Sequence, residues 1–246
     1  DAVLASSTSS LGIGALAAAT RLPERVIGLH FFNPVAKMPL VEVVRGQASG
    51  AAAVATGVAV ATRAGKTPVV VGDAPGFVVN RVLFPYLREA AAAFDEGVPA
   101  AVVDATMRVW GMPMGPLALL DDIGLDTSLL IFKALAGGLG DRLTPPPAVA
   151  RAVARGWLGG KSGRGFYDHR GGGQPTPNAE FAAAACDGAA AAAGIADRLL
   201  RPMVEEAQRV LAEGLVDSPD SLDLATVLGI GFPAFRGGLA TFAGHT

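Results

Sequence analysis

Through Gly72 the apolar residues of this chain fall in short runs separated by helical stretches; beyond it they recur at every third or fourth position. Ala2–Ala5, Val26–Phe32, Leu40–Val44 and Thr67–Val71 predict strands. Ser9 or Ser10 is placed to cap a helix running to about Ala19. Ser49 is placed to cap an alanine-rich helix closed by Gly65, a residue suited to left-handed backbone. Strands alternating with helices predict an open α/β sheet. The link Asn33–Pro39 holds two prolines and is too short for a parallel crossover, so its flanking strands are expected to pair antiparallel.

At Asp73 the pattern changes. Asp73-Ala-Pro-Gly76 predicts a helix start, with Asp73 as candidate cap and an early proline. Val79, Val82, Leu83, Tyr86 and Leu87 then mark one buried helical face. The glycine-rich stretch Gly156–Gly173, with its charged loop Asp168-His-Arg170, reads as a boundary within the helical part. That part repeats itself. Arg81-Val-Leu-Phe-Pro85 matches Arg198-Leu-Leu-Arg-Pro202, and Glu96-Gly-Val98 matches Glu213-Gly-Leu215 at the same offset of 117 residues. After a short slip, Gly111-Met-Pro113 matches Gly231-Phe-Pro233. The expected organisation is α/β followed by all-α, divided as 1–72, 73–170 and 171–246, the last a shorter and incomplete second copy.

The totals narrow the function classes. A chain of 246 residues with 51% hydrophobic content, much of it alanine, can build a sizeable helical core. A net charge of -2 leaves no electrostatic footprint for nucleic acid. Cys186 is the single cysteine, so no internal disulfide forms, as in a reducing cytoplasm. No apolar run approaches the ~18 residues of a membrane span, and no basic segment precedes an apolar one at the N-terminus. The chain opens on Asp1-Ala-Val-Leu-Ala5, directly in a strand-like run, which leads us to expect an upstream segment of a larger protein.

Candidate chemistry concentrates in two adjacent strands. His30 lies late in one and Glu42 early in the next, so both can reach one sheet edge. A carboxylate beside an imidazole sets its tautomer and stabilises its protonated form, as the orienter of a general base does. Either residue alone has a plainer reading: a hydrogen-bonded core histidine, and a solvent-facing glutamate on an edge strand. Ser9, after the first strand, serves as a helix cap or offers its hydroxyl to a ligand. Asn33 is a turn asparagine or a ligand contact. Asn80 sits in an apolar helix, where asparagine costs stability unless a polar contact offsets it. Gly12-Ile-Gly-Ala-Leu-Ala17 fits a dinucleotide expression but follows a serine cluster and lies within a predicted helix, so it reads as helix surface. Gly159-Gly-Lys-Ser162 lacks the upstream glycine of a phosphate loop, yet Lys161 can reach an anionic ligand from it. Scattered histidines and one cysteine give no metal-ligand spacing, and no nucleophile elbow occurs.

His30-Phe-Phe-Asn-Pro-Val35 followed by Leu40-Val-Glu-Val43 resembles the signature of the L-3-hydroxyacyl-CoA dehydrogenase family. Ser6-Ser-Thr-Ser-Ser-Leu11, Gly65-Lys-Thr-Pro-Val69, Asp73-Ala-Pro-Gly-Phe-Val-Val-Asn-Arg81, Gly115-Pro116 and Gly163-Arg-Gly-Phe-Tyr167 follow in the family's order. With the doubled helical part and Gly229-Ile-Gly-Phe-Pro-Ala-Phe-Arg-Gly-Gly238, the chain looks most like the multifunctional fatty-acid oxidation α subunits of that family. The resemblance implies a Rossmann-type sheet lacking its glycine-rich first part, followed by duplicated helical C-terminal domains. It implies NAD as cofactor, an acyl-CoA substrate, and a homo-oligomer or a thiolase-containing complex in the cytoplasm. It carries His30 over as catalytic base and Glu42 as its partner. Ser9 and Asn80 become substrate contacts, and Ser9, Asn33 and Lys161 cofactor contacts.

Two other readings stand beside it. The pyrophosphate of NAD normally sits on a glycine turn this chain lacks, and the first alternative is therefore a dimerisation or subunit-assembly module without catalysis. The other is a short-chain hydroxybutyryl-CoA enzyme, against which the doubled helical part argues. A sheet without its first strands is also expected to need a partner or to aggregate.

Overall fold

The computed structural model describes residues 2–8, 12–181 and 193–244. Cα packing divides the chain into two compact units, Asp1–Val82 with Val204–Thr246, and Leu83–Met203.

The first unit is built on a four-stranded sheet in the order β1 (Leu4–Ser6), β2 (Val26–Phe31), β3 (Leu40–Arg45), β4 (Thr67–Gly72). β1 and β2 run parallel, β2 and β3 antiparallel, β3 and β4 parallel. The short proline-containing link thus gives the antiparallel pair it predicts. Helix α1 (Ile13–Ala18) follows β1, and α2 (Ala51–Arg63) connects β3 to β4. Ile27, Leu29, Val41 and Val43 project from one face of the sheet onto Ala53 and Ala61 of α2. Burying one such aliphatic side chain contributes about 1.5–3 kcal/mol. The packing is close because α2 presents Gly57 there; a Cβ on it would lie 2.6 Å from Ile27.

By strand alternation, Gly28, His30, Leu40, Glu42 and Val44 face the opposite side. That side is covered within the same unit. Helix α3 (Val79–Asp95) begins over it, and α9 (Pro219–Ile230) ends on it at Gly229, where a Cβ would lie only 2.7 Å from Leu40. Backbone near the end of α8 (Ile195–Ala212) closes on β4, where the Gly72 amide donates to the Leu215 carbonyl. The last helix is α10 (Leu239–Ala243).

The second unit holds most of α3, then α4 (Ala100–Trp110), α5 (Pro116–Ile123), α6 (Leu125–Leu139), α7 (Pro147–Ala154), a two-residue-per-strand hairpin of β5 (Tyr167–Asp168) and β6 (Thr176–Pro177), and the first part of α8. The expected buried face of α3 is buried at Val79, Val82, Leu83, Tyr86 and Leu87.

Two capping expectations fail, and for one reason. Ser49 does not cap α2, whose N-cap is Gly50; its hydroxyl donates to the Val26 carbonyl and accepts from the Gly46 amide at 3.0 Å. Asp73 does not cap the helix after it, which starts at Val79. It accepts from the amides of Ile13 and Gly14 at 3.0 and 2.7 Å, capping α1 from sixty residues away. Tertiary packing supplies carboxylates to helix starts that lack a local cap. Asp104 serves Leu117 and Ala118 at α5, Asp95 serves Ala148 at α7, and Asp223 serves Ala240 and Thr241 at α10. Gly65 does hold the left-handed backbone expected of it, at φ 72°. Ser9 and Ser10 lie outside the described residues.

Candidate active site

His30 and Glu42 are register partners across β2 and β3. Their side chains share a face, and His30 Nδ1 lies 2.7 Å from Glu42 Oε2. Both are buried, His30 to 3% exposure and Glu42 to zero. A carboxylate so far from water needs further donors. It has them: Oε1 of Glu42 accepts from the amides of Val78 and Val79, at 3.0 and 2.9 Å, at the start of α3. Two backbone amides at the positive end of a helix are the donors such an oxygen needs once water is excluded. Glu42 is therefore a helix cap with one oxygen and an imidazole orienter with the other. Contact with a carboxylate gives Nδ1 the proton of the neutral ring and leaves the basic lone pair on Nε2.

Two aromatic rings frame the imidazole edge-on. Phe32 sits 4.6 Å and Phe77 5.3 Å away between ring centroids, at interplanar angles of 63° and 60°. Phe77 holds φ 51°, the left-handed region in which a bulky side chain is strained. Neither ring was legible as a site residue, since each lies in an apolar run.

The remaining candidates separate. Asn80 stands in the first turn of α3, immediately after the amide that Glu42 holds, and is half-buried. Asn33 is exposed in the bend after β2, before a cis peptide to Pro34. Ser9 lies outside the described residues. Lys161 belongs to the second unit, where a single 3₁₀ turn carries it and Asp126 pairs with it. Asp121 anchors its loop: it accepts from the amides of Phe166 and Tyr167 and contacts His169 Nε2, each at 2.9 Å. Burial pushes the Asp121 carboxyl above the usual range, against the opposing pull of His169 and those amides.

The residues present fit one end of a nicotinamide dinucleotide and not the other. A buried imidazole–carboxylate pair beside aromatic edges suits its reacting end, where a proton moves next to a flat ring. A pyrophosphate needs backbone amides free at a helix start after a glycine turn. At Gly12-Ile-Gly14, the stretch at the start of α1 that fits that expression, the amides of Ile13 and Gly14 are taken by Asp73. Among the described residues no group of histidine, cysteine and acidic side chains could hold a metal ion. No helix there is long and apolar enough to cross a membrane.

Residues 1–74 match the NAD binding domain of 3-hydroxyacyl-CoA dehydrogenase, and residues 76–169 match its C-terminal domain. The chain belongs to the 3-hydroxyacyl-CoA dehydrogenase family. Among curated relatives, the fatty acid oxidation complex subunits alpha of Psychrobacter sp. and Psychrobacter cryohalolentis are each 42% identical over 97% of this chain. The chain spans about a third of the length of these relatives, 35% in each case. Among solved structures, 3-hydroxybutyryl-CoA dehydrogenase from Escherichia coli matches with TM-score 0.81 and 29% identity, over 96% of this chain and 68% of that one. FadB2 from M. tuberculosis matches with TM-score 0.66 and 47% identity, over 68% of this chain and 60% of that one.

Proposed function

We propose that this chain carries the catalytic pair of an NAD-dependent dehydrogenase that interconverts L-3-hydroxyacyl-CoA and 3-ketoacyl-CoA in fatty-acid oxidation. The buried 2.7 Å contact between His30 and Glu42 carries the reading. Bound NAD supplies the hydride acceptor. His30 takes the substrate's hydroxyl proton at Nε2. Glu42, held in place by the amides at the start of α3, stabilises the imidazolium that results. General bases of this kind contribute about 10²–10⁴-fold in rate. Ser9 and Asn80 orient the reacting oxygen, and Ser9, Asn33 and Lys161 contact the cofactor. The relatives' standing as subunits of a fatty acid oxidation complex supports membership in an assembly; the partner in this reading is a second copy or a thiolase-containing complex, and the compartment the cytoplasm. The division into 1–72, 73–170 and 171–246 follows the sequence repeat, which need not coincide with compactness.

His30→Gln, in the protein that carries this chain, is expected to lower turnover of acetoacetyl-CoA with NADH by about 10²–10⁴-fold, with an unchanged far-ultraviolet circular dichroism spectrum. Near-normal turnover would remove His30 from the mechanism.

A second reading, an assembly module without activity, draws support from β1. It is an edge strand, and Leu4 and Leu22 beside it are half exposed. Titrating this chain with NADH by fluorescence separates the two. Micromolar binding counts for the dehydrogenase; none, together with a stable oligomer, counts for the module.

A further inference from the structure

The helical repeat provides an internal control on the site. The offset that aligns Arg81 with Arg198 also aligns Phe77 with Gly194. Both residues precede the long helix of their copy, α3 and α8, and both have left-handed backbone, φ 51° at Phe77 and 74° at Gly194. Glycine is the residue this conformation selects. At Gly194 the backbone conformation does the selecting, because among the described residues a Cβ there would meet nothing within 4 Å. In the first copy the same backbone slot is filled by a phenylalanine, almost fully buried, whose ring packs edge-on against His30. The amides of the next two residues, Val78 and Val79, hold Glu42. A strained side chain persists where its surroundings over-determine it, and here the surroundings are the imidazole and the carboxylate that orients it.

We propose that Phe77 is a positioning residue for His30. Its left-handed backbone aims two amides at Glu42, and its ring closes the side of the imidazole, so that ring and carboxylate share one orientation. Phe77 touches no reacting atom in this account and acts through His30. The proposal rests on the dehydrogenase reading for its kinetic consequence and stands apart from it for its structural one.

The test compares Phe77→Gly, Phe77→Leu and Phe77→Tyr with Gly194→Phe in the protein carrying this chain. The structural readout is the downfield proton resonance of His30 Nδ1–H, assigned by its loss in His30→Gln. Phe77→Gly, which suits the backbone and removes the ring, is expected to shift or broaden that resonance. It should lower kcat for acetoacetyl-CoA reduction by between about tenfold and a hundredfold, with KM within about twofold. Phe77→Leu keeps apolar volume and guards against a failure to fold; it should show the same effects in weaker form. Phe77→Tyr should restore both readouts. Gly194→Phe should lower the denaturant midpoint and leave resonance and kcat alone. An unchanged His30 resonance and kcat in folded Phe77→Gly or Phe77→Leu would overturn the proposal. If His30→Gln itself keeps its activity, the dehydrogenase reading fails, while the resonance still decides whether Phe77 orients the ring.

Discussion

In the first helical copy Arg81 donates from Nε to Glu206 at 2.7 Å and from both terminal nitrogens to Glu213 at 2.7 and 2.8 Å. In the second, Arg198 donates from Nε to Glu89 at 2.7 Å and from both terminal nitrogens to Glu96 at 2.6 and 2.7 Å. One offset of 117 residues relates the arginines and both pairs of glutamates, so each copy's arginine grips the other copy's acids. The geometry is the same and the surroundings are not. The Arg81 and Glu206 side chains are each 1% exposed, whereas Arg198 and Glu89 are 32% and 22% exposed. Burial by itself would weaken the hold of Arg81 on its proton; Glu213 and Glu206 more than offset this and keep it above the ordinary range. Duplication preserved a bonding pattern, and burial made one version of it far more costly to break.

The largest expected effect follows from that asymmetry. Glu206→Ala leaves a guanidinium buried with half its partners gone and should cost about 3–5 kcal/mol. Glu89→Ala, at the matching position, should cost at most about 1 kcal/mol, because water screens the pair. Urea midpoints of the two variants measure the difference; equal losses would mean that burial does not separate the clamps.

The remote caps allow a second comparison. Asp104 at α5 and Asp223 at α10 occupy matching places, each beside a glycine whose Cβ would collide with it, Gly115 and Gly238. Asp104 is fully buried and also accepts from the Tyr167 hydroxyl at 2.7 Å. Asp104→Ala is expected to cost about 2–3 kcal/mol, from three donors left without an acceptor. Asp223→Ala should cost about 1 kcal/mol, the usual value of a cap. Thermal unfolding of both variants checks the order.

A smaller effect appears in the pH dependence. Burial raises the Asp104 carboxyl above its ordinary value of 3.8, although Tyr167 and the amides of Leu117 and Ala118 pull the other way. The folded chain then holds that proton more tightly than the unfolded one. Stability from this group is greatest at low pH and falls as pH rises from about 4 through the raised value. Asp104→Asn should flatten that slope in urea midpoints taken upward from pH 4. The exposed clamp has the opposite sign and the least weight. Arg198 holds Glu96 below the carboxylate range, so its contribution is present above 4.5 and is lost as pH falls through the lowered value. Glu96→Gln should make acid unfolding slightly less steep, and only at low salt.

The pairing of His30 with Glu42 was legible because it depends on short-range facts. A link of a few residues with two prolines sets an antiparallel pair, and alternation puts both side chains on one face. The repeat was legible because its glycines, prolines and paired charges mark positions on the backbone. The second job of Glu42 was not legible, since nothing local to Val41-Glu-Val43 points to amides at Val78 and Val79. Ser49 and Asp73 show the same limit from the other side. Each has the right chemistry for the helix next to it, and each is used elsewhere because a distant donor lies closer in space.

By itself the chain's order of residues determined what is periodic or adjacent: the strands, the helical faces, the duplication, and the presence of an imidazole opposite a carboxylate. Only the folded arrangement decided which amides a buried carboxylate satisfies, which of two equivalent clamps is shielded from water, and why a phenylalanine occupies a slot that its twin fills with glycine. The division has a physical cause. Dihedral preference and side-chain period act within a few residues, whereas desolvation and hydrogen-bond partnership depend on what the rest of the chain brings alongside.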